Sequence, residues 1–117
     1  MRLLILLMAL ASSASFAGQA DFTVWIETQE EAGRLAVVPY VKASKPASLR
    51  YVLISHKEGG SGTSNTRQAG SINVIPAAPL ALSRLLLGAD AGDRYTIELR
   101  MYEDDRLVAE QTVTYPN

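Results

Sequence analysis

From Asp21 onward the chain is built of short runs in which apolar and polar residues alternate. Arg94 to Glu103 is the clearest. Tyr95, Ile97, Leu99 and Met101 fall on one side, and Arg94, Thr96, Glu98 and Arg100 on the other. A period of two marks a half-buried strand. The same reading predicts a first strand over Phe22–Thr28, ended by Gln29-Glu30-Glu31-Ala32-Gly33. A second covers Arg34–Lys42, with Leu35, Val37, Pro39 and Val41 on one face. Pro39 has no N–H for a ladder, so an edge position or a bulge is expected there. Lys45-Pro46-Ala47-Ser48 turns the chain into Leu49–Lys57. Both faces of that run are mostly apolar, which predicts a central strand.

The next segment breaks the pattern. After Gly59-Gly60-Ser61-Gly62 come Thr63, Ser64, Asn65, Thr66, Arg67 and Gln68, a run with nothing to anchor a core. Thr favours an extended backbone, so a fourth strand is expected from Thr63, with Val74 as its outer limit. Such a strand is wet on both faces or presents one to another chain. Ile75-Pro76-Ala77-Ala78-Pro79 ends it. Leu80–Leu87 fits neither period and reads as a strand or a helical turn. Gly88–Asp93 is a loop, Asp104-Asp105 a tight turn, and Arg106–Tyr115 the last strand.

Seven short strands without a long helix predict an all-β chain, a two-sheet antiparallel sandwich. Tyr95 follows an acidic, Gly-containing loop at the start of the penultimate strand. That position fits the tyrosine corner of immunoglobulin-like domains, and it fits a plain core aromatic equally well. Trp25 suits a core filler or a surface aromatic on an end strand, and the usual burial of Trp favours the core.

The first residues read as a processing signal: Arg2, then the apolar run Leu3–Ala11, then small residues. The run is too short to span a membrane as a helix. Residues 1–17 are expected to be a secretory signal peptide and 18–117 one domain. Cleavage falls after Ala17, or after Ala20 as the runner-up. The chain has no cysteine, which excludes thiol redox chemistry, Cys-ligated metals and a lipoprotein anchor. A domain this small must then hold together by packing alone.

Charge is unevenly spread. Arg34, Lys42, Lys45, Arg50, Lys57, Arg67 and Arg84 occupy the middle of the chain against Glu58 alone, whereas both ends are acidic. Either the fold carries a positive region, or the end strands pair with the middle and the charges interleave. A positive region would steer acidic partners and weaken with salt.

No catalytic constellation is present. Glu30-Glu31 and Asp104-Asp105 sit in predicted turns, where solvated charge is the ordinary reading. The Gly59–Gly62 turn resembles a phosphate-cradling loop in composition but lacks the following Lys-Ser/Thr and helix. Ser55 and Ser83 have no activating His pattern. The single histidine, His56, is a candidate pH sensor or an exposed strand-end residue. The basic middle lacks interleaved exposed aromatics, so nucleic-acid binding is not expected. No enzyme activity and no cofactor are predicted.

Several of these segments together resemble a known family. They are Val24-Trp25-Ile26-Glu27, Leu49-Arg50-Tyr51-Val52-Leu53, Gly59 through Gly70, Ala81-Leu82-Ser83-Arg84 and Ala91-Gly92-Asp93. The family is the small periplasmic curli-assembly proteins that inhibit curli amyloid formation, the CsgC/CsgH-like group. One branch carries a Cys-x-Cys pair near the third strand. The stretch around Ser48–Tyr51 has none, which places this chain with the cysteine-free branch. The resemblance implies an immunoglobulin-like sandwich in the periplasm. It implies a chaperone-like partner of the unfolded major curli subunit, with no membrane association after signal cleavage. A monomer is expected.

Two modes of client contact follow as expectations. In one, Arg50, Lys57, Arg67 and Arg84 attract acidic groups on the client. In the other, the strand from Thr63 through Ser64, Asn65, Thr66 and Arg67 to Gln68 pairs with it briefly. The alternative function is a structural or adhesive sandwich subunit of an extracellular assembly. Gly18–Asp21 is too short for a donor-strand arm, which counts against that alternative.

Overall fold

The computed structural model describes residues 21–60 and 62–116, as eight strands and no helix. The expected signal peptide, both cleavage points and Ser61 lie outside the described residues. The strands are β1 (Phe22–Glu31), β2 (Arg34–Ala43), β3 (Ala47–Gly59), β4 (Gly62–Val74), β5 (Leu80–Ala81), β6 (Leu85–Gly88), β7 (Arg94–Glu103) and β8 (Arg106–Tyr115). One sheet runs β1-β2-β5, with β6 also on β2; the other runs β4-β3-β7-β8. Every pairing is antiparallel. The sandwich expected from the alternation is the architecture observed.

The core lies between the sheets and is made by one face of each strand. Phe22, Val24 and Ile26 of β1 and Leu35, Val37 and Val41 of β2 meet Leu49, Tyr51 and Leu53 of β3. Tyr95, Ile97, Leu99 and Met101 complete it, and the last three are fully buried. β3 is central, as its two apolar faces predict.

Two-residue turns close the outer hairpins. Ala32 and Gly33 have φ of 50° and 80°, and Asp104 and Asp105 have 52° and 66°. Positive φ at both central residues is the hairpin geometry that matches strand twist. The first strand therefore continues through Gln29-Glu30-Glu31, which the sequence had assigned to the turn.

At Pro39 the expected edge is local, a gap in the ladder on one side of β2. β2 is an inner strand, and Pro39 is fully buried within it. In a strand a residue's N–H and C=O point the same way. The Pro39 carbonyl accepts from the Leu82 N–H at 2.8 Å, so the missing donor faces the β5/β6 side. The neighbouring strand is interrupted there, at 82–84. Thus Leu80–Leu87 forms two short strands in place of one strand or a helical turn.

Tyr95 is both of the things its position suggested. Its ring is buried, and its hydroxyl donates to the Gly88 carbonyl at 2.5 Å, back across the loop. Burial pushes the phenol pKa up, and Asp93 and Asp90 add to the rise. The Asp93 carboxylate, itself buried, accepts from the Asp90 N–H at 3.0 Å and lies 3.8 Å from the Lys57 ammonium. A side chain on Gly59 would collide with it, its Cβ falling against Asp93 Oδ1.

Trp25 is not in the core. Its neighbours Val24 and Ile26 take the inner face, so Trp25 stands on the outer face of the β1-β2-β5/β6 sheet, half-buried. It stacks on Tyr40, its cross-strand partner, with centroids 5.4 Å apart.

Candidate functional site

The site expected from the sequence is the polar strand, and the structure makes it the edge of the larger sheet. β4 is 13 residues long, from Gly62 to Val74, and pairs with β3 alone. The hairpin closes at Gly59↔Gly62, and a two-residue loop is flanked by a hydrogen-bonded pair. By that register Ser64, Thr66, Gln68 and Gly70 direct their backbone groups to β3. Thr63, Asn65, Arg67, Ala69 and Ser71 direct theirs outward. Among the described residues no further backbone bond to this edge is formed.

The side chains sort the same way. Thr63, Asn65 and Arg67 share the outer face with Arg50, Ile54 and His56 of β3. Ser64, Thr66 and Gln68 face the other sheet. There the Thr66 and Ser55 hydroxyls bond each other, and Ser83 donates to Gln68 Oε1 at 2.9 Å. Gly70 is required by packing, because a Cβ would come within 2.9 Å of the Tyr51 ring. Tyr51 in turn donates to the Leu82 carbonyl at 3.4 Å. The Ser83 and Tyr51 bonds tie the 82–84 link to β3 and β4 without covering the outer edge.

The four candidate cations separate. Arg67 is exposed, and among the described residues no carboxylate lies within ion-pair reach of it. Arg50 lies on the same face, over the Tyr102 ring at 4.8 Å and 3.6 Å from Asp105. Lys57 points the other way, into the pair with buried Asp93. Arg84 sits in the β5–β6 link and donates to both oxygens of Glu31, at 3.0 and 3.2 Å. Lys45 pairs with Asp21. For Lys45, Arg50, Lys57 and Arg84 the interleaved reading of the charges holds. Thr63–Gln68 and Arg50 are thus brought together, whereas Lys57 and Arg84 are held elsewhere by acids.

His56, a candidate pH sensor in the sequence but not a candidate for client binding, sits on the same face. Nδ1 is 2.6 Å from Asn65 Oδ1 and Nε2 is 3.2 Å from Glu58 Oε2. Two acceptors favour the doubly protonated ring, and these bonds raise its pKa above the ordinary value, Asn65 first and then Glu58. The register His56↔Asn65 was the signal that could have found it, and it emerges only once the Gly59–Gly62 turn is fixed. No group of three or more potential metal ligands occurs among the described residues.

The family model of thin aggregative fimbriae synthesis proteins, Tafi-CsgC, matches residues 14–113. The chain belongs to that family. The curli assembly protein CsgC of Escherichia coli O1:K1 is 27% identical over 107 residues, covering 92% of this chain and 88% of the relative. The protein of the same name from strain K12 gives the same figures. Among solved structures, the E. coli curli protein CsgC aligns with a TM-score of 0.69 at 24% identity, over 82% of this chain and 99% of that one. The R. palustris CsgH solution structure aligns at 0.62 and 20% identity, over 76% and 89%. These likenesses establish the shared fold. A Bacteroides fragilis β-galactosidase also aligns, at 0.54, but only over 17% of its own chain. That match is to one sandwich within a large enzyme and brings no chemistry with it. Tafi-CsgC is a family of assembly proteins and not of enzymes.

Proposed function

We propose that this Tafi-CsgC protein is exported to the periplasm, where it acts as a monomeric, chaperone-like inhibitor of curli subunit amyloid formation. The observation that carries the reading is the open edge of β4: long, polar, and bearing a cation without an acid partner among the described residues. An amyloid precursor is an unpaired strand in search of an edge. β4 offers backbone groups to such a strand and little apolar surface to retain it. Arg67, on the outward register, interrupts any stack of added strands.

Contact has two components. Arg67, with help from Arg50 where its exposed partner Asp105 can be displaced, draws acidic groups of the unfolded subunit and raises the encounter rate. The Thr63–Gln68 backbone then pairs with the subunit's own polar segments. Weak contact suffices when the targets are rare nuclei. The relatives' names, curli assembly protein, agree with this role.

The test is the fibre-formation kinetics of a curli major subunit with a small molar fraction of the protein. A lengthened lag is expected, shrinking as salt screens the cationic face. Arg67→Glu should shorten the lag again at low salt, with folding unchanged. An unaltered lag at equimolar protein would refute the proposal.

A further inference from the structure

Where β4 ends, the sandwich does not close. An apolar cleft of about 180 Å³ lies between the sheets, lined by Val41 and Ala43 of β2, Val74 of β4, and Ile75, Ala78 and Leu80 beyond it. Its rim is the run Ile75-Pro76-Ala77-Ala78-Pro79-Leu80, six residues without a polar side chain. Ile75 is 67% exposed and Leu80 43%, the two most exposed large apolar residues described. The cleft exists because β5 begins only at Leu80. Lys42 and Ala43 of β2 have no partner on that side, and Pro79 could not donate to them.

We propose that this cleft is a side-chain subsite for an extended polypeptide bound along β4. The occupant is fixed by the neighbouring backbone. The open β4 edge runs into the cleft at Asn73 and Val74, and a row of exposed strand groups is a template that an added strand pairs with in register. In a strand added to β4, the residue opposite Val74 points to the same face as Val74, which is the cleft. Polar residues of the guest lie beside Thr66 and Gln68, and one apolar residue follows in the cleft. The size suits an aromatic ring, since an apolar cavity of about 150 Å³ accepts benzene. The guest class is therefore a polar strand that carries an aromatic or large aliphatic residue near one end. This rests on the strand-edge component of the function proposed above and adds its specificity.

The test uses two short peptides of Ser, Gln and Asn, one with a single Phe near its end and one with Ala in its place. Their affinities for the full protein are read by fluorescence anisotropy. The Phe peptide should bind about tenfold more tightly or better, the gain from burying one ring. Ala78→Trp fills the cleft, and Ala77→Glu charges its rim from an exposed loop position. Each should bring the Phe peptide down to the Ala peptide's affinity and leave the Ala peptide unchanged. Equal binding of both peptides by the wild type, binding of neither, or a Phe preference that survives both variants would overturn the proposal. The readout is peptide affinity and not lag time, so the inhibitory function stands or falls by its own experiment.

Discussion

On the β8 side of the larger sheet, the Gln111 amide reaches across to β1 and accepts the outward N–H of Ile26 at 2.9 Å. Val113 and Tyr115 lean on the core beside it, and β8 carries an irregularity opposite Met101/Tyr102. On the β4 side the N–H groups of Asn65, Arg67 and Ala69 meet no partner among the described residues. The two borders belong to one sheet and differ in what their side chains bring. β8 supplies apolar residues and one amide that close a seam with β1. β4 supplies hydroxyls, amides, an arginine and a glycine, which close nothing. Natural sandwiches guard their edges by covering or charging them. Here the covered edge holds the domain together, and the charged one is left available.

The register allows that contrast to be broken from inside β4. Gly70 sends its N–H to β3 and packs against the Tyr51 ring, whereas Ala69 sends its N–H outward. Gly70→Pro removes a ladder bond and drives a ring into Tyr51. The orphaned carbonyl and the overpacking together cost about 3 kcal/mol or more. Ala69→Pro removes only a donor that faces solvent and should cost less than about 1 kcal/mol. Urea denaturation of the two neighbours separates these outcomes. Similar losses would mean that the register, and with it the open edge, is wrong. Ala69→Pro should also weaken the inhibition of fibre formation if strand pairing contributes.

The sealed border is tested by Gln111→Ala. It leaves the partly buried Ile26 N–H without an acceptor, at a cost of about 1–2 kcal/mol. For a domain of this size the melting temperature should then fall by several degrees. A melting temperature equal to wild type would show that packing of Val113 and Tyr115 seals the β1–β8 seam without the amide.

Much of this was legible in the chain. Period-two alternation located the strands, two apolar faces located β3 at the centre, and the polar run after Gly62 marked the edge. What failed to show was tertiary. Pro39 predicts an edge within its own strand, and the structure supplies one by interrupting the neighbour, a break that no local pattern records. Trp25 was weighed by its general tendency to be buried, although Val24 and Ile26 on either side had already claimed the inner face. The cationic middle looked like one patch. Asp93 and Glu31, distant in sequence, each withdraw one cation from it, and only the pairing of chain ends with the middle reveals this. The cleft was hidden for a similar reason. Ile75–Leu80 is plainly apolar, but that β5 starts too late to fill the gap is a property of two sheets at once.

The smallest expected effect concerns pH at the open border. His56 bridges Asn65 on β4 and Glu58 on its own strand, and across the sheet Thr96 and Arg94 of β7 stand opposite these two β3 residues. The bonds to Asn65 and Glu58 hold its folded pKa above the ordinary value of 6.5, against a smaller desolvation that lowers it. A raised folded value makes the contribution to stability complete below about 6.5, the unfolded value. It is lost as pH climbs through the folded pKa. Stability measured across that window should therefore decline slightly toward alkaline pH. His56→Gln, which cannot titrate, should flatten the decline. The ring is exposed, so the change is expected to be small, and a slope that persists in His56→Gln would assign it to another group. The β8 border holds no histidine, so only the β3–β4 hairpin should loosen as pH rises. Faster amide exchange at Asn65, Thr66 and Arg67, without change along β8, is the measurement that would localise it.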